Sequence, residues 1–109
     1  LMNSTSSASN FGLFYKGELV AVASFSKGRK MNRLAENKRS YELIRFCCKV
    51  GISVSGGLTK LVKNFCREKG AGDVMTYVDR QLSEGTSFIR AGFVKHGETD
   101  RNIKLVYAP

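Results

Sequence analysis

The chain of 109 residues contains no tryptophan, one histidine (His96) and one proline, Pro109, at its last position. A lone histidine and the absence of any C-x-x-C spacing speak against a zinc constellation, so no metal site is expected. Its three cysteines, Cys47, Cys48 and Cys66, are odd in number and two are adjacent, which makes a poor disulfide framework. They fit buried small hydrophobes in a cytoplasmic or other reducing intracellular compartment. No apolar run approaches the roughly 20 residues that a helical membrane span needs, so no membrane partner is expected. The opening stretch LMNSTSSASN lacks the basic and apolar segments of a secretory signal. It reads as a flexible lead-in over 1–10, ahead of a single domain over 11–109. A chain that starts at Leu1 and ends in KLVYAP also fits a piece of a longer protein.

Acidic side chains are scarce, 9 against 18 basic ones, giving a net charge of +9. Such a balance favours a polyanionic partner, nucleic acid first, and equally serves plain solubility. The hydrophobic fraction of 42% and seven phenylalanines argue for a packed globule, and the length for one domain with a modest core.

Residues 11–26 hold two apolar runs joined at Lys16-Gly17, a two-residue loop suited to a hairpin. The next fourteen residues, KGRKMNRLAENKRS, carry six Lys or Arg and one Glu, which is +5 of the total. With so little apolar content this segment reads as a solvated loop, disordered alone, either ordinary surface or a phosphate-contacting patch through Lys27, Arg29, Lys30, Arg33, Lys38 and Arg39. YELIRFCC, 41–48, reads as a strand bearing two charges, Glu42 and Arg45, which either pair in a cleft or face the open. Leu58, Leu61, Val62, Phe65 and Cys66 fall at i, i+3, i+4, i+7 and i+8, one helical stripe ended by Gly70 and Gly72. VMTYV at 74–78 is a further strand, residues 85–91 a short helix stopped by Gly92, and strands near 93–96 and 103–107 close the chain around GETDRN.

Between the 41–48 strand and the main helix stands GISVSGG. The first turn of a helix leaves backbone N–H groups without partners and carries partial positive charge, so a glycine-rich entry suits a phosphate. Gly56 and Gly57 would give close backbone approach, with Ser53, Ser55 and Thr59 as added hydroxyl donors. A plain strand-to-helix turn explains the same glycines. Neither a Walker-type motif nor G-x-G-x-x-G is present.

The element order resembles that of GNAT-type acyl-CoA N-acyltransferases. SVSGGL, 53–58, is similar to that family's pyrophosphate turn [QR]-x-x-G-x-[GA], with Gly56 at the first glycine, Ser53 in place of Gln/Arg and Leu58 in place of Gly/Ala. SFIRAGF, 87–93, resembles its LYEKLGF signature, sharing Gly92 and Phe93, while Phe88 stands where the family has the tyrosine assigned as thiolate-protonating acid. YELIRF and TYVDRQLSEGTSF resemble runs in a phage-associated branch that includes the Mom-type DNA-modification proteins.

The resemblance implies a compact α/β (α+β) domain with a mixed, largely antiparallel sheet, one main helix and one short helix. It implies acetyl-CoA or a related acyl-CoA, its pyrophosphate on Ser55, Gly56 and Gly57, with Ser53, Thr59 and Lys60 alongside. Glu42, Arg45, Asp79 and Arg80 would gather at the strand ends bordering the cleft. There a carboxylate would take or orient the amine's proton, and an arginine would hold a phosphate or the oxyanion. A structural ion-pair network is the alternative for these four. The function implied is an N-acyltransferase acting on or beside nucleic acid; a non-catalytic basic DNA- or RNA-binding accessory module is the other reading. Tyr41 and Tyr77 would be stacking platforms or core. Pairing of two copies through an exposed strand is left open.

Overall fold

The computed structural model describes residues 9–109. Residues 1–8 of the expected lead-in lie outside them, and Ser9 and Asn10 already pair with Phe25 and Ser24, so the first strand begins before residue 11. That strand, β1 (Ser9–Tyr15), turns at Lys16-Gly17 into β2 (Glu18–Phe25). Both turn residues have positive φ, 50° and 79°, the hand that matches strand twist in a two-residue hairpin.

β3 (Ser40–Cys48) follows antiparallel to β2. Ser24 faces Arg45 and Phe25 faces Leu43, so Ile44 is an extra residue, a bulge. α1 (Val54–Lys69) carries the expected stripe inward: Leu58, Leu61, Val62, Phe65 and Cys66 are all buried. Ser53 caps its start, its Oγ accepting from the Gly56 amide, and Gly70 ends it with φ 61°, donating to the Cys66 carbonyl. Arg67 and Lys69 in the last turn complement the helix dipole. β4 (Asp73–Asp79), α2 (Thr86–Arg90), β5 (Val94–Glu98) and β6 (Asn102–Tyr107) complete the chain.

One six-stranded sheet results, in the order β1-β2-β3-β4-β6-β5, with β3 and β4 its one parallel pair. The class is the expected mixed, largely antiparallel α/β sheet with a main and a short helix. Phe25 on β2 stacks on Phe65 of α1 with ring centroids 3.7 Å apart, while Phe11 and Tyr41 meet Phe65 edge-on. Burying Phe65 from water is worth roughly 3 kcal/mol by area alone.

The basic segment before β3 departs from expectation. It is tied to the sheet rather than loose: Arg29 and Ser40 exchange two backbone hydrogen bonds, and the Gly72 amide donates to the Arg39 carbonyl. Leu34 packs so closely over Gly72 that a Cβ there would sit 2.8 Å from it. Arg33 reaches the buried Asp73 at 2.6 Å, and the Ser40 hydroxyl donates to the other Asp73 oxygen. Composition showed the charge of this segment but not the carboxylate forty residues away that anchors it.

Candidate active site

β3 and β4 pair only from Ser40 to Glu42 against Asp73 to Met75. Beyond that β3 stays with β2 and β4 stays with β6, so the parallel strands part. The bulge at Ile44 adds local twist and turns β3 away, and a bond from the Thr76 hydroxyl to the Leu43 carbonyl spans the start of the gap. The gap is a cleft of about 390 Å³. Ile44, Arg45 and Phe46 form one wall, Tyr77, Val78 and Asp79 the other, and Leu82, Ser83, Ser87 and Phe88 from the β4–α2 segment close the end. Val54, the first residue of α1, also lines it, so the cleft opens onto the helix start.

Strand alternation separates the two faces of this cleft. Leu43, Val74 and Val78 belong to the core beneath α1. Met75, Tyr77 and Asp79 therefore face away from α1. Arg45 does too, because its cross-strand partner Ser24 lies between Ala23 and Phe25, both in that core.

At the helix start the Gly57 amide bonds the Ser53 carbonyl, and the Gly56 amide bonds the Ser53 hydroxyl. Among the described residues the Val54 and Ser55 amides make no hydrogen bond. No acidic residue stands in this first turn. Gly56 is exposed and its φ is not positive; Gly57 is buried, and a Cβ there would meet Phe46 at an ordinary 3.6 Å. Gly56, a helix-weakening glycine that no positive φ demands, leaves the exposed side of this turn bare. Ser53, Gly56, Gly57 and Lys60 share a second hollow, of about 210 Å³, against Phe14 and Tyr15 of β1. Ser55 lies 3.5 Å from Ser53, hydroxyl to hydroxyl. Thr59 does not offer a free donor as expected: its hydroxyl donates back to the Ser55 carbonyl at 2.7 Å, the usual recourse of a threonine inside a helix.

The four charged residues expected at the cleft separate into two pairs. Arg45 and Asp79 line it on opposite walls. Asp79 Oδ1 accepts from the Gln81 amide, and neither residue has an ion-pair partner within 4.0 Å among the described residues. Glu42 is a correction: it sits in the closed part of the β3–β4 ladder, with Arg29 3.8 Å away. Arg80 is another. It turns to the β5–β6 hairpin, donating to the Thr99 carbonyl and pairing with Glu98 at 3.1 Å. The Lys95 hydrogen bond, then the charges of Arg80 and Lys95, hold the Glu98 carboxyl below its ordinary range. The causes differ: Glu42 lies where the two strands are still paired, whereas Arg80 follows the end of β4 out to the β5–β6 hairpin.

Phe88, at the position where the resemblance has tyrosine, lines the cleft edge-on to Phe93. The phenol in the cleft is Tyr77 instead, half exposed, its hydroxyl 3.8 Å from the Met75 sulfur, a weak acceptor. Its place two residues before Asp79 on an alternating strand was the available signal. Of the six basic residues expected to meet nucleic acid, Arg29, Lys30 and Arg33 are matched by Glu42, Glu36 and Asp73. Arg39 donates to the Glu36 and Lys38 carbonyls. Lys38 joins Lys63 and Arg67 around a hollow of about 560 Å³ at the far end of α1, and Lys27 is exposed. The described residues contain no cluster of three metal-ligating side chains and no helix long and apolar enough to cross a membrane.

A bulged strand parting from its parallel neighbour at the start of the main helix, in this element order, is the GNAT N-acetyltransferase fold, and solved structures agree. The chain is similar to the N-acetyltransferase PseH of Campylobacter jejuni, with 13% identity and a TM-score of 0.74 over 95% of this chain and 70% of that one. It is similar also to the PaiA N-acetyltransferase of Thermoplasma acidophilum, solved in complex with coenzyme A: 20% identity, TM-score 0.67, 94% of this chain and 62% of that one. For the GNAT domain of S. lividans PAT the values are 16%, 0.69, 98% and 65%. The chain thus spans about two thirds of the length of these neighbours. No protein-family model and no curated protein matches its sequence.

Proposed function

We propose that this domain transfers an acyl group from an acyl-CoA, acetyl-CoA first, to an amine. The observation that carries this reading is the cleft between β3 and β4 opening onto the bare first turn of α1. Backbone amides of Val54 and Ser55, with the Ser55 hydroxyl, would take the pyrophosphate, and Lys60 a further phosphate. The parted strand edges would face the pantetheine arm. Neighbours solved with coenzyme A and acetyl coenzyme A support the same ligand.

In the transfer the neutral amine attacks the thioester carbonyl. A C–N bond forms, the C–S bond breaks, one amine proton passes to Asp79, and the thiolate is protonated. Asp79 is the carboxylate within the cleft, and Tyr77 is its phenol, supplying the proton that Phe88 does not. Arg45 adds positive charge on the opposite wall.

The acceptor in this reading is an amine on or beside nucleic acid. Its support is the set of cations without ion-pair partners among the described residues along α1 and its flank, Lys38, Lys60, Lys63 and Arg67, together with the likeness of YELIRF and TYVDRQLSEGTSF to the phage-associated Mom-type branch. A reducing compartment suits three free thiols. Should two copies pair, β1 and β5 are the sheet edges open to it.

The test is thermal unfolding in the presence of acetyl-CoA, wild type against Gly56→Asp. An aspartate at the third helical position suits the helix dipole but repels a phosphate. Saturable stabilisation of wild type alone supports the transferase. No response in either favours the second reading, a basic nucleic-acid-binding accessory, to which Phe88 in place of a tyrosine already lends weight. That module would bind DNA or RNA with an affinity that falls steeply with salt.

A further inference from the structure

On the face of the cleft away from α1 stand the three groups that the transfer reading uses: Arg45 on β3, and Tyr77 and Asp79 on β4. Arg45 and Asp79 are opposite in sign, line one cleft, and do not pair with each other within 4.0 Å or with any other described residue. Glu42, the other charge of β3 on that face, is already matched by Arg29. A cleft that keeps an acid and a base on opposite walls, without letting them meet, fits a ligand bearing both charges in reverse. We propose that the acceptor amine, whether free or on or beside nucleic acid, is a primary amine with its own acid group, phosphate or carboxylate, a short spacer away. The amine meets Asp79, whose Oδ2 is not engaged by the Gln81 amide; the acid group meets the Arg45 guanidinium, and Tyr77 lies beside the amine. A mono-amine without the acid group leaves Arg45 unmatched, and an inorganic anion leaves Asp79 unmatched. The specificity thus comes from the pair.

This inference takes its chemistry from the acyl-transfer reading, but its binding step needs no coenzyme. The experiment is a titration of the ¹⁵N-labelled protein, without coenzyme, with O-phosphoethanolamine, β-alanine, ethanolamine and inorganic phosphate, followed by amide and arginine side-chain shifts. Saturable changes at Arg45, Tyr77 and Asp79 are expected for an amine that bears an acid group, with ethanolamine and inorganic phosphate weaker by about tenfold or more. Arg45→Gln is expected to abolish that preference and Arg45→Lys to keep part of it. Tighter binding of O-phosphoethanolamine assigns a phosphate-bearing amine, and tighter binding of β-alanine a carboxylate-bearing one. Shifts scattered away from the cleft, equal binding of ethanolamine, or an Arg45→Gln profile like wild type would overturn the proposal. Failure here leaves the acetyl-CoA titration untouched, whereas failure of that titration leaves the binding of such an amine standing but removes its role as acceptor.

Discussion

From Ser40 to Glu42, β3 lies against β4 as a parallel ladder, whereas from Leu43 onward the same two strands turn to different neighbours. The closed end holds a carboxylate with both oxygens bonded: Asp73, 4% exposed, takes the Ser40 hydroxyl on one side and Arg33 on the other. At the open end Asp79 and Arg45 stand without ion-pair partners among the described residues. Buried polar groups must be satisfied, while groups bordering a cleft are solvated until a ligand arrives. The first region is held by its own internal bonds and the second stands open, so satisfied and unpaired charges divide along one strand pair.

The sharpest way to break this division is Asp73→Ala. It strips Ser40 and Arg33 of their acceptor and frees the segment before β3, and a loss of about 2–4 kcal/mol is expected in urea unfolding. Asp79→Ala, losing one bond to the Gln81 amide at a partly exposed site, should cost about 1 kcal/mol or less. Equal losses at the two aspartates would end the distinction between a structural and a chemical end.

A second effect is set by pH and belongs to the closed end. Burial, then the charge of Asp73, pushes the Cys66 thiol up to about 11 from 9.0. Burial, then Cys66, raises the Tyr107 phenol. A folded-state pKa above the unfolded one means that the native state holds its proton longer, so stability is complete below about pH 9 and falls as pH rises toward 11. A drop in melting temperature on the order of 10 °C across that window is expected, and Cys66→Ala should flatten it. At neutral pH a thiol alkylating reagent should modify exposed Cys47 well before Cys66.

How far this arrangement was readable from the chain depends on the range of the signals. The Lys16-Gly17 turn, the α1 stripe and the Gly70 stop are local patterns, and each stands where turn chemistry and helical periodicity put it. Long-range facts left no such mark. The pairing of Arg33 with Asp73 converts an apparently loose basic stretch into ordered chain, and no composition window spans that distance. Strand divergence is equally silent: Glu42 and Arg45 are three residues apart, yet one lies in the ladder and the other in the cleft. Tyr77 was visible as an alternating position, but which face held the helix was not.

At the open end the cap of α1 gives a smaller test. Ser53→Ala removes the acceptor of the Gly56 amide and should cost about 1 kcal/mol. It also bares a third amide of the first turn. On the acyl-CoA reading the stabilisation by acetyl-CoA therefore persists in this variant although the protein itself melts earlier. Loss of both together would mean that the hydroxyl, rather than the amides, holds the ligand.

The smallest effect is expected where the closed end meets solvent. Arg29 and Glu42 lie 3.8 Å apart, beyond hydrogen-bond distance, with the arginine side chain 59% exposed. Water screens such a pair, and fixing the long side chain opposes its attraction. Arg29→Ala should therefore change urea stability by less than about 0.5 kcal/mol, because the two backbone bonds between residue 29 and Ser40 survive the substitution. A loss nearer that of Asp73→Ala would extend the structural end outward to Glu42 and make the basic segment part of it. A change near zero leaves Asp73 as the polar centre of the closed end, with the Arg29–Glu42 pair adding nothing measurable to stability.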